Sequence, residues 1–288
     1  MAEILVRGRR VEYQAAGSGD PVVLVHGLAG SMRWWRRNVP ALAEAHRVYL
    51  VNLPGFGSFR HRGHRFVLAE AADWLGDWME AVGIAPCHIV AHSMGGHVAI
   101  RLAARRPHLV RRLVLVAPAI IAGGRPLRAY PLAILAAGRA ASPSFLPVLA
   151  LDTLRAGPRT ILRAVRSLLA EDVREDLGAV STPTLLVWGE RDALVPPSVG
   201  LLVQAQLPDA RLLLLPGAGH VPQYDRAEPF NAATLAFLAG QTIPAAPPAG
   251  RRAGGWLLDP ADVGFVLSSG WPLVRKGQMT SVSQAGWL

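Results

Sequence analysis

The sequence predicts an α/β fold: a mostly parallel β-sheet with helices on both faces and one helical insertion. Three observations predict it. Short apolar, β-branched runs recur at Val22 to Val25, Val48 to Val51, Ile89 to Ala91, Leu113 to Val116, Thr184 to Trp188 and Leu212 to Leu215. Amphipathic stretches of helical period separate them, notably Leu68 to Val82, Met94 to Arg106, Pro197 to Gln206 and Ala227 to Leu238. Strands that are apolar throughout and alternate with helices belong to parallel sheets buried on both faces. The alternation also breaks once, because no strand pattern lies between Val116 and Thr184.

Taken in order, Met1 to Tyr13 alternates like a strand and lacks the apolar core and cleavage site of a signal peptide. Gly17-Ser-Gly19 precedes a strand and has no following Lys-Ser or Lys-Thr, so it reads as a turn and not a phosphate loop. Gly124 to Gly178 reads as short, proline-broken helices rich in Leu, Ala and Arg. An insertion at the carboxyl edge of a parallel sheet lies over the ligand crevice, which is the position of a cap. Gln241 to Gly255 reads as a linker, and Trp256 to Leu288 has no sustained period. The expected organisation is a core of residues 1–118 and 180–240, a helical cap of 119–179, and a linker and tail of 241–288.

Composition bounds the function. With 288 residues, 51% hydrophobic and 17% charged, the chain is globular. Its apolar runs fall short of the roughly 18 residues of a membrane span, so a soluble, cytoplasmic protein is expected. The lone Cys87 excludes an intrachain disulfide and sits in a predicted buried strand. The net charge of +10 comes almost wholly from arginine, but no nucleic-acid-reading motif accompanies it. His61 and His64 have H-x-x-H spacing, yet Arg60, Arg62 and Arg65 beside them repel a cation, so no metal is assigned.

Ser93 lies where the apolar run ending in Ala91-His92 meets Met94-Gly-Gly96 and the following helix. A hydroxyl on so tight a strand-to-helix turn is held toward substrate, with backbone N–H groups at the helix start ready for negative charge. Serine is a weak nucleophile, so it needs a base, an acid to orient that base, and donors for an oxyanion. His220, in the glycine-rich loop after Leu212 to Leu215, is the candidate base. Asp192, after Thr184 to Trp188, is the candidate acid, with Glu190 and Asp209 as competitors. All three follow carboxyl ends of parallel strands and converge on one sheet edge. The N–H groups of Leu28 and Met94 are the candidate oxyanion donors. His26, Gly27, Trp34, His92, Tyr130 and Val221 are expected around the substrate. His26 organises the oxyanion loop, His92 is structural or pocket-lining, and Trp34 either lines an acyl pocket or packs a helix. The apolar residues Leu127, Tyr130, Leu132, Ile134, Leu135, Phe145 and Leu146 suit an acyl group or cap packing equally.

Five strings in order, His26-Gly27-Leu28, Asn52-Leu-Pro-Gly-Phe-Gly57, Ala91-His-Ser93-Met-Gly-Gly96, Gly189-Glu-Arg-Asp192 and Gly219-His220, make the chain resemble the capped serine members of the α/β-hydrolase superfamily over about residues 3 to 240. Ala91 replaces the first glycine of the usual nucleophile elbow, and Asn52 stands where an aspartate is common. The resemblance implies an α/β-hydrolase fold, a Ser-Asp-His triad and cofactor-free cleavage of a small-molecule carboxylic ester. It leaves open thioesters, carbon–carbon bonds and perhydrolysis, as well as a receptor that binds without turnover. Arg155, Arg159, Arg163 and Arg166 have the spacing of one helical face, which suits an acidic carrier protein or simply a solvated surface.

Overall fold

The computed structural model describes residues 1–57, 66–120 and 136–243. Strands β1 (Ala2–Val6), β2 (Arg9–Ala16), β3 (Pro21–Val25), β4 (Arg47–Val51), β5 (Cys87–His92), β6 (Val110–Val116), β7 (Thr184–Gly189) and β8 (Ala210–Leu215) form one eight-stranded sheet, in the order β1-β2-β4-β3-β5-β6-β7-β8. The pairs from β4 through β3 to β8 are all parallel, and β1 and β2 add an antiparallel edge. The helices are α1 (Val39–Leu42), α2 (Leu68–Val82), α3 (Met94–Arg105), α4 (Leu146–Ala156), α5 (Pro158–Ala170), α6 (Arg174–Ala179), α7 (Pro197–Gln204), α8 (Pro222–Asp225) and α9 (Ala227–Leu238).

The pleat explains why the strands are apolar at every position. Val23 and Val25 of β3, with Ile89 and Ala91 of β5, join one core with Trp78 and Met79 of α2 and Val98 of α3. Their alternates Val22, Leu24 and Val90 join the other core with Leu42 of α1 and Phe230 and Phe237 of α9. Burying each large apolar side chain stabilises the fold by about 1.5–3 kcal/mol, so charge on either face of β5 is excluded. The N-terminal alternation, read as one strand, is instead a hairpin. Arg7 and Gly8 turn at φ +50° and +74°, which a continuous alternating pattern conceals.

Between β6 and β7 the chain inserts a helical turn over residues 136–140, a 3-10 turn at Pro143–Phe145, and α4 to α6. Arg101 of α3, almost buried, donates to Glu171 and to Asp176 (3.1 Å) and ties the insertion to the core. The four-arginine helical face does not exist as one face. Gly157 (φ +74°) closes α4 and Pro158 opens α5, so Arg155 belongs to α4 while Arg159, Arg163 and Arg166 belong to α5. Among the described residues, no helix is long and apolar enough to cross a membrane. Tyr130, the other expected pocket residues from Leu127 to Leu135, the H-x-x-H pair and the tail from Trp256 to Leu288 lie outside the described residues.

Candidate active site

Three loops at the carboxyl ends of β5, β7 and β8 meet over the sheet. Ser93, between β5 and α3, holds φ +51° and ψ −116°. Such a conformation costs on the order of 1–3 kcal/mol in a non-glycine residue and persists only when its surroundings impose it. They do: the Ser93 N–H donates to the Val116 carbonyl (2.9 Å), and the Ser93 carbonyl accepts from His97 (3.2 Å) and Ala119 (3.0 Å). Gly95 lets α3 start this close, because a Cβ there would sit 2.5 Å from the His26 carbonyl oxygen.

The Ser93 hydroxyl lies 3.1 Å from His220 Nε2, and His220 Nδ1 lies 2.8 Å from Asp192 Oδ2. Asp192 is itself aimed: its Oδ1 accepts the Leu194 and Val195 N–H groups, both at 2.9 Å, leaving Oδ2 for the imidazole. The competitors lie elsewhere. Glu190 accepts the Gly217 N–H (2.8 Å), and Asp209 lies in the connection entering β8, where its carbonyl accepts from Thr184 at the start of β7 (2.9 Å). The structure therefore brings together the serine, imidazole and carboxylate singled out from sequence, all buried.

Beside them, His26 has its pKa lowered to about 4 by burial, which outweighs the opposing hydrogen bond to Gly27. It is neutral at pH 7. Its Nε2 accepts the Leu53 N–H (3.0 Å), so the proton sits on Nδ1 and is donated to the Gly27 carbonyl (2.8 Å). Its ring braces the loop that carries Gly27 and Leu28. Gly27 has no room for a side chain: a Cβ would sit 2.8 Å from His92 Nδ1 and 3.0 Å from Ser93 Cβ. Leu28, the candidate donor, follows it, and Met94 is the first residue of α3, where the backbone N–H has no intrahelical acceptor. Asn52 supports the same region, accepting the Met32 N–H at 2.9 Å.

His92 is likewise neutral, its pKa driven well down by burial and by the nearby His220. Its Nε2–H donates to the His220 carbonyl (2.8 Å), and the two rings lie 5.0 Å apart. Trp34 packs on His92 (5.6 Å) and on Phe145 of the insertion (5.0 Å), and Val221 joins the same cluster with Tyr224. Trp34 thus lines the site and packs the insertion at once. Leu146, by contrast, points to solvent.

The residue that sequence reasoning missed is Asp152 of α4. Its carboxylate is fully buried and accepts from Ser31 Oγ (2.7 Å), Trp34 Nε1 (3.1 Å) and Arg33 Nη2 (2.7 Å). All three donors lie in Ser31 and the 3-10 turn Met32–Trp35 that follows the Gly27–Gly30 loop. Asp225 was missed too. It accepts from Gly219 (3.0 Å) in the His220 loop and from Ser142 (2.8 Å) in the insertion. A cavity of about 450 Å³ is lined among others by Ser31, Arg33, Arg36, Asn52 and Arg155; none of the three central residues lines it.

Residues 22–233 match the model of the alpha/beta hydrolase family. The chain belongs to this family. Within it, the chain is 33% identical over 257 residues to the dihydrolipoyllysine-residue acetyltransferase component of the acetoin cleaving system of Pseudomonas putida, covering 81% of this chain and 68% of that protein. It is 31% identical over 246 residues to the pimeloyl-[acyl-carrier protein] methyl ester esterase of Aeromonas hydrophila, covering 76% and 96%. Among solved structures, the meta-cleavage product hydrolase of Pseudomonas fluorescens IP01 superposes with a TM-score of 0.67 at 25% identity, covering 83% of this alpha/beta hydrolase and 98% of that chain.

Proposed function

We propose that this alpha/beta hydrolase cleaves small-molecule carboxylic esters through an acyl-enzyme on Ser93. The observation that carries the reading is the unbroken run from Ser93 Oγ through His220 to Asp192, at 3.1 and 2.8 Å. His220 Nε2 takes the hydroxyl proton as Ser93 Oγ bonds to the ester carbonyl carbon. The negative charge on the carbonyl oxygen rests on the Leu28 and Met94 N–H groups, each such donor being worth on the order of 3 kcal/mol in barrier height. The ester C–O bond then breaks, and the proton held by His220 passes to the leaving alcohol. Water, deprotonated by the same imidazole, attacks the acyl-enzyme and frees the acid and Ser93. Asp192 holds His220 with Nδ1–H toward itself and Nε2 toward serine. Every group in this cycle is a side chain or backbone N–H of the chain, so the reaction calls on no cofactor.

The helices between β6 and β7 serve as the cap: Phe145, Val148 and Leu149 pack with Trp34 and Val221 beside the site, giving the acyl group an apolar wall. Similarity to a meta-cleavage product hydrolase supports a second reading, carbon–carbon bond hydrolysis on the same groups. Turnover of p-nitrophenyl esters of increasing acyl length, run beside a vinylogous diketone and an acyl thioester, separates the readings. Fastest turnover of an ester, lost in Ser93→Ala, is expected. Preference for the diketone replaces the ester reading with the second, and full ester turnover by Ser93→Ala removes both.

A further inference from the structure

The outward face of the cap has a composition that the site does not explain. The exposed residues of α4 are Leu146, Pro147, Ala150, Leu151, Thr153 and Leu154, a set apolar but for Thr153 and on the side opposite Asp152 and Leu149. Leu154 is 78% exposed, and Leu162 on the neighbouring α5 is 51% exposed. Around them stand Arg159 and Arg166, both exposed, and the half-buried Arg163, none with a carboxylate partner among the described residues. Residues 146–170 contain a single acid, Asp152, which is buried against the core. Of the carboxylates that follow, Glu171, Asp172 and Asp176 are taken up by Arg101 and Arg174, and Glu175 stands exposed on α6.

Exposed leucines are costly in water unless something covers them, and the surrounding charge selects what can. A second copy in a two-fold contact would press arginine against arginine. An acidic protein would satisfy the arginines and leave the leucines wanting an apolar match. A layer with anionic groups above an apolar interior meets both demands, since leucines enter the acyl boundary while arginines reach the phosphates. The net charge of +10 adds long-range attraction to such a layer.

We propose that the outer face of α4 and α5 docks on an anionic lipid surface. Docking is independent of the reaction at Ser93, so binding is measured on the full chain carrying Ser93→Ala. The probes are sucrose-loaded vesicles of phosphatidylcholine alone and of phosphatidylcholine with an equal part of phosphatidylglycerol. The chain sediments with the anionic vesicles and little with the neutral ones. Leu151→Asn with Leu154→Asn lowers partitioning at least tenfold. Arg159→Gln, Arg163→Gln and Arg166→Gln together lower it about 100-fold, roughly fivefold each. Introduced beside an intact Ser93, both sets leave soluble-ester turnover and thermal unfolding unchanged. The proposal is overturned if the anionic vesicles bring down no protein or if both variants bind like the parent. It is equally overturned if the leucine changes abolish self-association in sedimentation velocity, or if an acidic carrier protein is bound with no dependence on the leucines.

Discussion

Removing the Asp152 carboxylate tests whether the cap holds the oxyanion loop in place. In Asp152→Ala the Ser31 hydroxyl and the Trp34 indole N–H lose their acceptor while buried, at about 1–3 kcal/mol each. Arg33 is 39% exposed and regains water, so its lost ion pair adds little. The expected destabilisation is about 2–6 kcal/mol, read as a shift in the urea midpoint with unchanged slope. Asp152→Asn keeps an acceptor but loses the charge-assisted part of the bonds, and costs about 1–2 kcal/mol. Ser31 directly follows Gly30 of the oxyanion loop, and Trp34 packs on His92, which holds the His220 carbonyl. Loosening them reaches the chemistry. With p-nitrophenyl butyrate, at a temperature where the variant is fully folded, kcat falls about 10- to 100-fold, below the loss of an entire oxyanion donor. KM changes less, because the affected contacts matter most in the transition state. A boronic-acid transition-state analogue weakens in step with kcat/KM. Stability loss with kcat unchanged refutes the coupling, and unchanged stability refutes the burial argument itself.

Other outcomes follow from the same structure. Gly27→Ala places a methyl 2.8 Å from His92 Nδ1 and 3.0 Å from Ser93 Cβ, so ester turnover is lost in a chain that still gives a folded circular-dichroism spectrum. Stability falls with acidity in a defined window: His26 binds its proton at about pH 4 folded and at 6.5 unfolded. Its contribution is therefore complete above pH 6.5 and is lost as pH falls toward 4, up to about 3 kcal/mol. Denaturant midpoints measured from pH 7 to 4.5 should drop steadily, and a flat profile contradicts a neutral buried His26. Arg101→Met frees Glu171 and Asp176 from α3, and faster proteolysis of the segment from α4 to α6 than of the sheet is the expected readout.

Much of the site was legible because each of its parts announces itself locally. The apolar strands end where Gly or Ser begins, and the serine, acid and base each follow such an end, so sheet topology alone gathers them. Leu68–Val82 and Ala227–Leu238 fold as the helices their periodicity describes. What stayed hidden depends on partners far along the chain. Asp152 sits 121 residues from Ser31, in a leucine-rich segment where a lone carboxylate reads as surface. The N-terminal hairpin was concealed by an alternation that runs unbroken through its turn. The division between Arg155 and Arg159 was signalled by Gly157-Pro158, which carries more weight than arginine spacing.

The most direct measurement is the mass of the chain quenched during turnover of a p-nitrophenyl ester, followed by peptide mapping. One acyl group on the peptide containing Ser93, formed with a stoichiometric burst of p-nitrophenol and absent in Ser93→Ala, is predicted. Hydrolysis that proceeds with no adduct and no burst, or with the acyl group on another residue, contradicts nucleophilic attack by Ser93.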